Sequence, residues 1–285
     1  MNKIKLITDS TCDLTQELIE KIDAYVIPLP LHFDEDYFMD GVDITTEKLY
    51  EEVEKRNVLP QTVGVNPKQF EETFKKWTSE GYDVIYTGIG SKLSSTFSSA
   101  IIAKNHLKLD NVYLVDSNNL SASAGLLLLK MDKLRSEGKT VEEIVDIAQN
   151  KIVPNIRCSF AIKTMDYLHK GGRCTGLQKY LISALRIKPI IKVIDGKLSV
   201  GKKPIGNINK AIRVIADEAI ELKDKIDPDF LTITHSMSHD AAVYIEPYLR
   251  EKLNVKNIYE TFAGCIISSH CGPGCIGILY ILKYE

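Results

Sequence analysis

Along the first half of the chain, apolar positions alternate between two periods. Residues 3–8 (KIKLIT), 25–31, 82–87 and 111–115 are short apolar runs with β-branched residues, and they read as strands. Between them, residues 13–22, 45–56, 66–80, 94–106, 121–138 and 140–151 carry apolar residues at helical spacing. Their ends are marked. Pro67 occupies a favoured first helical position, Gly138 follows the longest segment, and Thr140 with Glu143 has the spacing of a capping box. Strands separated by helices predict a mainly parallel sheet with helices on both faces.

Beyond residue 154 the texture changes. Residues 189–200 (PIIKVIDGKLSV) are two strand-like runs about Asp195-Gly196, a strong hairpin signal. Helical patterns at 207–223 and 241–253 and strand patterns at 230–234, 257–261 and 277–282 follow. The expected fold class is α/β in two domains. An N-terminal α/β domain over 1–153 carries a mainly parallel sheet with flanking helices, and a C-terminal α+β domain over 154–285 carries a mixed sheet. A length of 285 residues agrees with two domains.

Composition removes several classes of function. A formal charge of −2 leaves no basic excess for a nucleic acid partner. The sequence opens without a cationic and apolar leader, and its longest leucine run is too short to span a bilayer, so a cytoplasmic protein is expected. The cysteines at 12, 158, 174, 265, 271 and 275 are scattered, and reduced thiols are expected. Cys265, His270, Cys271 and Cys275 lack the paired spacing of a zinc knuckle; no metal and no cofactor are expected.

Ligands of open α/β sheets bind beyond the carboxyl ends of the strands. That brings Asp9-Ser10-Thr11-Cys12, residues 88–96 and Asp116-Ser117-Asn118 into view, although each also reads as ordinary helix capping. The stretch GIGSKLSST places Ser91, Ser94, Ser95 and Thr96 beside Gly88 and Gly90 at a helix start, where unpaired N–H groups favour an anion. It lacks the phosphate-loop spacing, and Leu93 stands where a dinucleotide fingerprint needs glycine. A small carboxylate or phosphate group remains. Gly171-Gly172 precedes Arg173 and can aim it into a cleft, and His270 stands in a rigid Cys271-Gly272-Pro273-Gly274 setting. A solvated loop and a structural histidine are the plainer readings. Ser94, His270 and an acid such as Asp116 permit a serine-dependent acyl or phosphate ester hydrolase, although the GxSxG elbow is missing. A small-anion sensor without a lipid tunnel is a further reading.

Taken in order, residues 8–14 (TDSTCDL), residues 91–97 (SKLSSTF), Val115-Asp116-Ser117, residues 167–173, Lys188-Pro189-Ile190 and His270 with Gly272-Pro273-Gly274 resemble the DegV family over nearly the whole chain. That family is similar to the fatty-acid-binding subunit of bacterial fatty acid kinase. The resemblance implies a non-catalytic, lipid-binding subunit that buries the carboxylate of a long-chain fatty acid between its two domains. A separate kinase catalytic subunit would convert the bound acid to an acyl phosphate for phospholipid synthesis. It also implies ligand contacts at Thr62, Ser94 and His270, with Ser95 beside them, and a role for Arg173 toward the partner or the acyl phosphate.

The chain departs from the family pattern at Val63, which replaces a hydroxyl residue, at Ser95, which replaces a glycine, and at Cys174, which replaces an aliphatic residue. Lys202, Lys203 and Arg213 offer a basic face for the kinase or a transient membrane contact, against the plainer reading of solvated charges. The acyl chain needs an apolar tunnel. Residues 126–129 and 182–185 are candidates to line it, although they read more simply as core.

Overall fold

The computed structural model describes residues 3–172 and 187–284. In chain order the first half contains β1 (Lys3–Asp9), α1 (Gln16–Lys21), β2 (Tyr25–Ile27), β3 (Pro30–Phe33), β4 (Asp36–Met39), α2 (Thr46–Arg56), β5 (Gln61–Thr62), α3 (Pro67–Ser79), β6 (Tyr82–Tyr86), α4 (Thr96–Leu107), β7 (Val112–Leu114), α5 (Ala122–Ser136) and α6 (Val141–Ile147). There follow β8 (Ile156–Ala161), α7 (Asp166–Lys170), β9 (Ile190–Ile194), β10 (Lys197–Val200), α8 (Ile208–Ile220), β11 (Ile226–Ser236), α9 (His239–Lys252), β12 (Tyr259–Phe262), α10 (Cys265–Cys271) and β13 (Cys275–Leu282).

The fold is α/β, with one parallel and one mixed sheet as expected. Strands β2-β1-β6-β7 pair in parallel throughout. The mixed sheet has the order β10-β9-β8-β13-β11-β12, in which only β11 and β12 run parallel. β13 lies centrally and is buried along its whole length, which is why its sequence, CIGILYIL, is an unbroken run of apolar residues and glycine. One apolar cluster joins Leu6 and Leu126 to Phe160, Phe230 and Ile281, so both sheets share a core. No described helix is long and apolar enough to cross a membrane.

Several elements differ from the sequence expectation for local reasons. The run 25–31 is two strands, because Pro28 has no N–H to pair and the chain turns into β3. β3, β4 and β5 form a small antiparallel sheet that periodicity did not suggest. The first helix starts at Gln16 with Thr15 as its cap, since Ser10–Cys12 form a 3-10 turn and Asp13 adopts φ 49°. α4 starts at Thr96, two residues after the expected Ser94.

Strand order reverses between β1 and β6, and Asp9 joins the two strands there. Its buried carboxylate accepts from the Tyr86 hydroxyl at 2.8 Å and from the N–H groups of Ile89 and Thr11, each at 3.0 Å. Burial pushes this carboxyl above the ordinary value, against the lowering effect of these donors. Asp9 is therefore a clasp between strands and the loop after β6. Gly88 is required by the same clasp: a Cβ there would lie 1.9 Å from an Asp9 carboxylate oxygen.

Replacing Asp9 with Ala is expected to strand four buried donors, the Thr11 hydroxyl being the fourth, and to lower the unfolding free energy by roughly 3 kcal/mol. Gly88→Ala is expected to destabilise comparably. Urea unfolding of both variants checks the assignment, and parental midpoints would refute it.

Candidate functional site

A cavity of about 340 Å³ lies between the carboxyl ends of the parallel sheet and the face of the mixed sheet. On one side it meets Leu29 after β2, Ile89 and Leu93 after β6, and Leu120 after β7. On the other it meets Phe160 of β8, Leu198 of β10, Leu279 of β13 and Ile267 of α10. Such a volume falls within the roughly 300–1,000 Å³ of small-molecule sites. Among the described residues, no Lys, Arg, Asp or Glu lines it.

Thr62, Ser94, Ser95 and His270, the residues implied by resemblance, all line this cavity. β5 pairs with β3, Thr62 opposite Leu31, and so delivers Thr62 to His270, whose Nε2 shares a hydrogen bond of 3.0 Å with the threonine hydroxyl. Ser94 Oγ accepts from the Thr96 N–H at 3.2 Å and pairs with the Thr96 hydroxyl at 2.9 Å. Thr96 Oγ1 in turn accepts from the Val65 N–H at 3.3 Å, linking the helix start to the segment that carries Thr62. Ser95 has φ −73° and ψ −8°, a conformation open to any residue, so serine in place of glycine strains nothing. Its side chain is exposed at the cavity mouth, beside exposed Val63.

His270 owes its position to α10, whose first N–H groups are held by carboxylates from far away in sequence. Asp40 accepts from the Cys265 N–H at 2.8 Å, and Asp13 accepts from the Gly264 N–H at 2.9 Å and from the Ser121 hydroxyl. Both carboxyls are buried, and burial raises their proton affinity above the ordinary carboxylate value. α2 adds a second tie: the Tyr50 hydroxyl bonds Ser236 Oγ at 2.6 Å, and Ser236 Oγ bonds Ser268 Oγ at 2.8 Å. At the far end of α10, Gly171 packs so closely that a Cβ would lie 2.2 Å from His270 Nδ1. That glycine therefore makes room for the imidazole. Arg173, which it was expected to aim, and Cys174 lie outside the described residues.

The remaining expectations divide. Asp116 Oδ1 accepts from the Ser91 and Asn118 N–H groups at 3.1 and 3.0 Å, a loop-holding role. Ser94 makes no hydrogen bond to His270, so the serine–histidine pair of a hydrolase is not assembled. Residues 126–129 are core and stand outside the cavity wall; 182–185 lie outside the described residues. Lys202 pairs with Glu218 at 3.3 Å, and Arg213 pairs with Asp217 and stacks on Tyr248. Cys158, Cys271 and Cys275 contribute to the wall. Burial pushes the Cys158 thiol up to about 12, so it stays neutral and behaves as apolar surface. Cys265 sits at the opposite end of α10 from His270, with its thiol on the Ile44 carbonyl.

Sequence reading missed Asp40 and Tyr50, which act across more than a hundred residues with no local pattern to mark them. Asp13 was in view within residues 8–14, but its tie to Gly264 was not.

Comparison with known proteins places this geometry among relatives. A family model described as "Uncharacterised protein, DegV family" matches residues 3–283. A DegV domain-containing protein of Clostridium acetobutylicum is 36% identical, with 100% of both chains covered. A DegV family protein of Thermus thermophilus, described for its fatty acid binding, superposes with a TM-score of 0.91 at 26% identity, covering 99% of this chain and 100% of that one. A stearic acid-binding protein of Eubacterium ventriosum has a TM-score of 0.88 at 26% identity, covering 100% and 99%.

The raised proton affinities of Asp13 and Asp40 fix a sign for pH dependence. Folded chains keep these protons to higher pH than unfolded chains, so the stability they contribute is complete below about pH 4 and is lost as pH rises through the folded values. Asp13→Asn keeps an acceptor for Gly264 and removes one titration. Its urea midpoint is expected to fall less than the parent's between about pH 4 and pH 8; an identical fall would refute the linkage. Gly171→Ala is expected to shift the His270 ring resonances without unfolding the chain, and unchanged resonances would contradict the packing of Gly171 against the imidazole.

Proposed function

The chain belongs to the DegV family, and from that premise we propose that it is a non-catalytic carrier of one long-chain fatty acid. The carboxylate sits at the Thr62, Ser94 and His270 end of the cavity, and the acyl chain runs among Phe160, Leu198 and Leu279. One observation carries this reading: a largely apolar cavity, with no Lys, Arg, Asp or Glu among its described lining residues, that ends in hydroxyls and an imidazole. The fatty acid binding described for the Thermus and Eubacterium proteins supports it.

The energetics favour an amphiphile over a small anion. Each buried methylene contributes about 0.8 kcal/mol, so ten contribute about 8 kcal/mol. A carboxylate leaving water costs several kcal/mol, and hydrogen bonds to charged groups return about 1.5–3 kcal/mol each. The tail therefore supplies affinity, and the hydroxyl–imidazole end sets orientation. A small anion without a tail would bear the desolvation cost alone, in a pocket without a lining cation among the described residues.

A separate ATP-dependent kinase subunit then phosphorylates the presented carboxylate, and the acyl phosphate feeds phospholipid synthesis. Arg173 serves that transfer, and the ligand lies between the domains 1–153 and 154–285. Ser94 is a hydrogen-bond donor to the head group and not a nucleophile, in keeping with its engagement by Thr96.

Protein purified from a bacterial host is expected to release a long-chain acid detectable by mass spectrometry. Delipidated protein is expected to take up such acids saturably, with Thr62→Val and Ser94→Ala each weakening binding about tenfold. Absence of saturable uptake would overturn the carrier reading. Arg173→Ala is expected to lower acyl phosphate formation while leaving uptake intact, and equal loss of both would remove its assigned role.

A further inference from the structure

A cluster of side chains outside the hydroxyl end of the cavity has the composition of a metal site. His235 lies near the end of β11, His239 opens α9, and Glu260 belongs to β12, the parallel neighbour of β11. Glu260 stands opposite Ile233, two residues before His235, so Glu260 and His235 leave the same face of the sheet. The chain then reverses through Met237 at φ 51° and returns His239 to the same point. Glu260 Oε1 lies 3.0 Å from His235 Nε2 and 2.7 Å from His239 Nδ1. All three ligand atoms fall within 4.8 Å of one another.

We propose that His235, His239 and Glu260 bind a divalent ion of the zinc class. Two imidazoles and one carboxylate suit zinc, cobalt or nickel better than magnesium or calcium, which prefer all-oxygen shells. Ligand distances of about 2.0–2.2 Å put tetrahedral ligand atoms roughly 3.3–3.6 Å apart. Glu260 Oε1 therefore parts from each imidazole by only tenths of an ångström, while the two imidazole nitrogens, within 4.8 Å of each other, need only close on a shared ion. Three protein ligands leave a fourth position for water. His239 is exposed, and both histidines border an open groove of about 930 Å³, which gives an ion a path of entry.

The surrounding hydrogen bonds define what the ion displaces. His235 Nδ1 accepts from the Ser238 N–H at 3.2 Å, so the ring proton sits on Nε2 and points at Glu260. Ligation at Nε2 moves that proton to Nδ1, and the Ser238 contact gives way. His235 also lines the apolar cavity, so an ion held there would stiffen a wall common to the groove and the cavity.

The test is titration of the metal-free full chain with Zn2+ alone, and separately with Co2+, by calorimetry and absorption. One ion per chain is expected, with a Co2+ spectrum free of thiolate charge transfer and a shift of the Ser238 amide resonance. His239→Ala and Glu260→Gln remove exposed or half-exposed groups and leave buried His235 in place. Each is expected to weaken binding at least about tenfold, since even outer-shell partners of a metal contribute that much. His106→Ala, which breaks an exposed pair with Glu71, is expected to leave binding unchanged. The proposal is overturned by the absence of stoichiometric binding, by parental affinity in the His239→Ala, Glu260→Gln double variant, or by a thiolate band that assigns the ion to the cysteines.

Discussion

Helix α10 is preceded at its N-cap by Gly264, which has no side chain to cap it, and the rest of the site depends on how the first N–H groups are satisfied. Asp40 supplies an acceptor to Cys265 from 225 residues earlier, and Asp13 supplies one to Gly264 from 251 residues earlier. Buried N–H groups left without partners would cost about 1–3 kcal/mol each, so the helix cannot drift from these carboxylates cheaply. Because the helix is held at one end, His270 at the other meets Thr62. A capping requirement in the backbone thus becomes a position for an imidazole.

Much of the site was legible because its local chemistry is dense. The hydroxyls after β6 and the rigid Gly-Pro-Gly after His270 are signals contained within a few residues. The hairpin at Asp195-Gly196 was equally readable, since both residues take positive φ as its turn demands. What escaped reading was relational. Gly171 looked like freedom for Arg173, and it is space for a ring from position 270. Asp9 looked like a ligand-facing residue beyond a strand, and it is consumed in joining β1 to β6. The small sheet of β3, β4 and β5 went unseen because strands of two to four residues carry too little periodicity.

The walls of the cavity explain why its polar end matters. Among the described residues, the Thr62, Ser94 and His270 end gathers hydroxyls and an imidazole, and Thr234, His235 and Ser236 add a second polar patch to a wall otherwise built mostly of thiols and aliphatic groups. Thr96 reinforces that end by tying Ser94 to the Val65 backbone, three residues from Thr62. The departures at Val63 and Ser95 fall at the mouth and leave these contacts in place. The position of this polar end therefore follows from two backbone corners and one remote helix.

The most direct measurement is a crystal structure of the chain with a long-chain fatty acid. The account places the carboxylate within hydrogen-bond distance of the Thr62 and Ser94 hydroxyls and of His270, with the tail against Phe160, Leu198 and Leu279. A carboxylate found at the groove beside His239, or an inverted chain with its methyl end at Thr62, would contradict it.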